Sequence, residues 1–120
     1  EKTVCMLLLE KGISEDADIE MKRVLDDMKK DQPVVRSDKE FHALLVTATH
    51  NELLSTIMGA VMTVYQEWIE LVLKKADPET KNSLVSYHED IYNGLRNKDE
   101  GLVNEAIDKH YNLIEELLIV

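Results

Sequence analysis

Apolar residues recur at helical spacing along almost the whole chain, and the breaks in that pattern mark out six helices. The first covers roughly Lys2–Lys11 and stops at Gly12, a residue suited to a helix C-terminus. The second starts at Ser14 and puts Ala17, Met21, Val24, Leu25 and Met28 on one face. It ends before Gln32-Pro33, because the residue preceding a proline is pushed out of the α region. Val34-Val35 is the one β-like piece, too short to count as a strand. Ser37-Asp38-Lys39-Glu40 reads as a capping box that opens the third helix, which runs to about Thr49.

Asn51 caps a long fourth helix reaching about Lys74. Its apolar positions, from Leu54 and Ile57 through Val61, Val64 and Trp68 to Val72, wrap more than one face. Such a helix is central in the bundle or lies in a subunit interface. Gly59 in its middle costs about 1 kcal/mol against alanine, acceptable where a neighbour packs closely. Asp77-Pro78 pairs a cap with proline at the first helical position and opens the fifth helix, which carries Leu84, His88, Ile91 and Leu95. The sixth begins at Asn97 or Asp99, with Leu102, Ala106, His110, Leu113 and Leu117 on its inner face. The expected fold is therefore all-α, one domain over residues 1–120, with no internal repeat or disordered linker.

Charge narrows the partners. Fourteen Lys+Arg against 24 Asp+Glu leave a formal charge of −10, which phosphate backbones repel. Taken alone, this domain is not expected to bind nucleic acid. No apolar run reaches the ~18–20 residues of a membrane span, and no signal segment opens the chain. The single Cys5 lies in the apolar run Val4–Leu9, so a buried, inert thiol and a cytoplasmic location are expected. The chain opens at Glu1, without methionine or a cap, so a preceding segment is expected too.

The candidate chemistry lies in three helices. Asp38 and His42 stand four apart, so both project from one face a turn apart. His88 and His110 each occupy the apolar stripe of their own helix. A buried imidazole without a partner costs on the order of 1–3 kcal/mol, so inward-facing histidines must find one. A single histidine ordinarily bonds a backbone carbonyl; three with an in-phase aspartate point instead to one divalent metal. Imidazole nitrogens with one carboxylate suit zinc first, with nickel, manganese or iron also compatible. Three neutral imidazoles and one carboxylate leave the ion a residual charge of about +1, which invites a small carboxylate into an open coordination position. His50, at the corner before Asn51, is read as solvated or as meeting a helix end.

The run Ser37-Asp38-Lys39-Glu40-Phe41-His42, then Thr49-His50-Asn51-Glu52-Leu53-Leu54, His88-Glu89-Asp90-Ile91, Asp99 and His110 resembles the FCD domain. That is the C-terminal effector domain of FadR-type GntR transcription regulators, and the resemblance covers nearly the whole chain. It implies an antiparallel bundle of six or seven helices around a central, metal-containing ligand pocket. It also implies that Asp38, His42, His88 and His110 are the metal ligands and that the effector is a small carboxylate. DNA would be read by a dimer, through an N-terminal winged helix-turn-helix that this chain lacks. Three positions depart from the family pattern: His50 replaces a small residue, often glycine, and Gly94 and Leu102 stand where alanine is usual. The fourth helix has no arginine with which to pair an effector.

The expected function is therefore effector sensing rather than catalysis, with a homodimer as the assembly and Asn51 as an effector contact. Two other classes stay open at this level. A metal with an open position could activate water in a hydrolase, though no general base stands out. A plain helical interaction domain could simply bury its histidines. A di-iron bundle would need Glu-x-x-His pairs, and Lys39, Val85 and Ile107 occupy the positions where the glutamates would stand.

Overall fold

The computed structural model describes residues 2–30 and 34–119. Among them are six helices and no strand: α1 (Lys2–Lys11), α2 (Glu15–Lys29), α3 (Val34–Ala48), α4 (Glu52–Lys75), α5 (Pro78–Asn97) and α6 (Glu100–Ile119). Glu1 and the Gln32-Pro33 stop lie outside the described residues.

Six of the helix boundaries are fixed by the local chemistry that the sequence carries. Gly12 takes φ +82° and its N–H bonds the Leu8 carbonyl at 2.7 Å, ending α1. The Ser14 hydroxyl accepts from Ala17 N, the Asn51 side chain from Leu54 N, and the Asp77 carboxylate from Thr80 N, each closing an otherwise orphaned donor. Asp99, not Asn97, starts α6: its Oδ1 accepts from Leu102 N at 3.1 Å, while Lys98 sits left-handed at φ 54° to end α5.

The third helix differs from the expectation. It begins at Val34, so Val34-Val35 is helical and Ser37 lies inside the helix, buried. Glu40 does not reach back to cap. Its carboxylate pairs with Arg36 one turn earlier and with Arg23 of α2, both at 3.3 Å. Those pairs tie the first turns of α3 to α2, and tertiary contact overrides the local capping signal.

The helices pack with α5 against α6, α2 against α3 and α5, and α1 across α3, α5 and α6. The main core draws Val4 and Leu8, Met21 and Val24, Phe41 and Leu45, Ile91 and Leu95, and Val103 and Ile107 from these five helices. A second core gathers Ile69, Val72 and Leu73 of α4 with Leu84 and Ile114. On α6 the inner face centres on Val103, Ala106, Ile107, His110 and Ile114; Leu102, Leu113 and Leu117 are only half-buried. Gly94 is where α5 and α6 come closest. A β-carbon there would stand 2.5 Å from Val103 Cγ2, so alanine would not fit without movement.

Helix α4 is peripheral. It rests on α3 and α6, and its buried residues are confined to the last two turns. Of the two sequence readings, the central position is excluded. Gly59 likewise has no close neighbour to explain it, since nothing lies within 4 Å of a β-carbon built there.

Candidate metal centre

Asp38, His42, His88 and His110 come together at the junction of the two cores. On α5, His88 follows Leu84 of the second core and precedes Ile91 of the first. On α6, His110 lies between Ile107 and Ile114 in the same way. All four side chains are buried, and one ligand atom from each lies within 4.8 Å of the others. The carboxylate is the hub: Asp38 Oδ1 stands 2.7 Å from His88 Nε2, 3.2 Å from His42 Nε2 and 3.4 Å from His110 Nε2. His42 Nε2 and His88 Nε2 are 3.4 Å apart.

The protonation pattern favours a cation at this point. His88 Nδ1 is 2.6 Å from the Leu84 carbonyl. A carbonyl only accepts, so Nδ1 carries the proton and Nε2 is the atom turned to Asp38. At 2.7 Å a shared positive charge, a proton or a metal ion, lies between Nε2 and the carboxylate oxygen. Burial pushes the His110 imidazole down to about 4, aided by nearby His88 and opposed by Asp38, so it is neutral near pH 7. For Asp38, burial alone would raise the carboxyl. His42, with hydrogen bonds from His110, His42 and His88, overrides it and holds the group well below the usual carboxylate range.

The alternative in which each histidine satisfies itself on a carbonyl holds in part for His88 and fails for His110. Among the described residues, His110 Nδ1 and Asp38 Oδ2 are buried without a hydrogen-bond partner. A divalent ion would gather the three Nε2 atoms and Asp38 Oδ1 into one coordination shell. The donor set therefore fits one.

Aromatic edges orient the rings. Phe41 meets His88 at 5.1 Å and 89°, Tyr111 meets His110 at 4.8 Å, and Tyr65 of α4 meets His42 at 5.9 Å. Phe41 belongs to the run that carries the family resemblance, but none of the three was given a role at the site. Phe41 and Tyr111 adjoin His42 and His110 in the chain and could have been; nothing local marks Tyr65. His50 is exposed and lies outside the cluster, in the left-handed region at φ 54°. Asn51 is the α4 cap, its Oδ1 bonded to Leu54 N at 3.0 Å.

A family model for the FCD domain matches residues 1–113. The chain belongs to the FCD domain family. No curated protein and no solved structure matches it. An FCD domain is the effector-sensing part of a regulator, and in this FCD domain the buried Asp/His cluster is able to hold a metal ion. Among the described residues no helix is long and apolar enough to cross a membrane. A cleft of about 300 Å³ opens between α3 and α4, with Lys39, Ala43 and Thr47 on one wall and Met58, Met62 and Gln66 on the other. It lies against a different face of α3 from the one that carries Asp38 and His42.

Proposed function

We propose that this FCD domain senses a small carboxylate metabolite through a divalent metal held by Asp38, His42, His88 and His110. The single observation that carries the reading is the convergence of three buried Nε2 atoms on Asp38 Oδ1, at 2.7, 3.2 and 3.4 Å. Zinc fits the donor set best, with nickel, manganese or iron as alternatives. One carboxylate leaves such an ion a net positive charge in an apolar interior, and an anionic ligand oxygen is its natural complement. The four side chains are buried, so admission of an acid requires neighbouring helices to give way. In the whole regulator that movement would reach a winged helix-turn-helix of the GntR type, in a cytoplasmic homodimer. We assign catalysis no part in this, because an FCD domain is a sensing module and no general base stands out by motif. Asn51 is proposed as an effector contact, beside its capping role.

The test is a melting experiment on metal-loaded and chelated protein with a panel of hydroxy acids, dicarboxylates and sugar acids. A ligand at about 100 times its dissociation constant stabilises the fold by about 2.7 kcal/mol. The expected gain appears only with metal and disappears in Asp38→Ala and His42→Ala. Equal stabilisation of the chelated protein would move the effector elsewhere. Asn51→Ser keeps a cap and isolates any effector contact.

A further inference from the structure

Six large apolar side chains stand on the open side of α4: Leu53, Ile57, Val61, Val64, Trp68 and Leu71, each between 50 and 71% exposed. From Ile57 onward they advance in alternating steps of four and three residues, the seam pattern of a helix that pairs with another. From Leu53 to Leu71 this seam runs about 27 Å along the helix, and a contiguous apolar patch of that extent marks an interaction site. Among the described residues none covers it. We propose that a second copy of this chain packs antiparallel on the α4 seam, about a two-fold axis near Val61 and Val64.

Charge selects the occupant and its direction. Leu53 through Gln66 contains no charged residue, whereas Glu52 precedes that run and Glu67, Glu70, Lys74 and Lys75 follow it. A parallel pair would set Glu67 against Glu67 and the lysine pair against itself. The antiparallel pair sets Val61 against Val64, Ile57 against Trp68 and Leu53 against Leu71, and brings Glu52 to the partner's lysine end. It also opposes the two helix dipoles favourably. A seam about 27 Å long and roughly 10–12 Å wide buries on the order of 300 Å² per copy, less than half of a standard interface, so the pairing is weak. The interface helix also touches the candidate metal centre, because Tyr65 meets the His42 and Tyr111 rings at 5.9 and 6.1 Å.

This inference rests on the homodimer reading and adds its surface and direction. Sedimentation of the 120-residue chain and of Val61→Glu, Val64→Glu and the control Ile19→Glu tests the surface. Mixing Ile57→Cys protein with Trp68→Cys protein under mild oxidation tests the direction, and Cys5 is buried away from it. The expected result is a concentration-dependent dimer that either seam substitution weakens at least about tenfold, with helicity retained and Ile19→Glu unaffected. The mixed cysteine proteins should cross-link faster than either alone. A dimer indifferent to the seam substitutions, or Ile57→Cys linking best to itself, overturns the inference and leaves the homodimer standing. A chain that stays monomeric at all concentrations overturns both. The cysteine pair needs no buried charge, so it decides the matter even where a glutamate variant loses its fold.

Discussion

His88 Nε2 stands 2.7 Å from Asp38 Oδ1 while His88 Nδ1 donates to the Leu84 carbonyl, so the ring is held with Nε2 turned to the carboxylate. A metal ion at that point competes with protons for the same nitrogens. Metal measured by elemental analysis should therefore be about one per chain near neutral pH and fall steeply on acidification. His88→Ala should lose most of it, and so should His110→Ala, because each removes a donor and loosens the others. Protein purified without chelator or tag that carries almost no metal would sink the assignment. Chelation should also lower the melting temperature.

Much of the fold was legible because its signals are local. Ser14, Asn51 and Asp77 cap where the sequence puts them, and the apolar stripe of α2 is the buried one. The four candidate ligands were legible because each sits in phase with its helix's apolar face, so burying the faces brings them together. What failed was decided at a distance. Ser37-x-x-Glu40 has the letters of a capping box, yet Arg23 from another helix and Arg36 claim the glutamate. The position of α4 at the edge could not be read from its apolar residues, since a core helix and an interface helix share that pattern.

His50 gives a test of backbone strain. Its φ of 54° is one that a β-carbon disfavours, by roughly 1–2 kcal/mol against the right-handed region, and its side chain is exposed. Glycine takes this conformation freely but gives the unfolded chain more freedom. His50→Gly should therefore stabilise the domain by about 0.5–1 kcal/mol in denaturant titration, with metal content unchanged. Lost metal would place His50 in the site after all.

Asp18 and Tyr92 tie α2 to α5 through a 2.5 Å hydrogen bond from the phenol to the carboxylate. That bond holds the Asp18 carboxyl below its ordinary value against the opposing effect of burial, with Lys22 and Arg96 adding to it. A carboxyl lowered in the folded state stabilises above its unfolded pKa of about 3.9, and the contribution fades as pH falls through the folded value. Tyr92→Phe should then cost about 1 kcal/mol at pH 7. The gap from the unmutated protein should narrow by pH 3. Parallel stability curves at both pH values would show that the charge on Asp18 is irrelevant to the bond's worth.

Two glycines should answer alanine with opposite signs. At Gly94 the new methyl would stand 2.5 Å from Val103 Cγ2 and 3.2 Å from both the Asp99 carbonyl and Val103 N. Two of those three atoms are backbone, at the corner where Gly94 O accepts from Asp99 N at 2.8 Å, so relief requires α5 and α6 to separate. Gly94→Ala should cost about 1–3 kcal/mol, the usual range for overpacking. Because α5 and α6 carry His88 and His110, it should also weaken metal retention. At Gly59 nothing lies within 4 Å of the added methyl, and the residue is inside a regular helix. There alanine only removes backbone freedom from the unfolded chain, and Gly59→Ala should gain about 1 kcal/mol. Gly59 borders the α3–α4 cleft and not the apolar seam, so the gain should persist at concentrations where the chain pairs. Denaturant midpoints of both variants, with metal content measured alongside, check the pair. A destabilising Gly59→Ala would mean that something outside the protomer packs against that helix face.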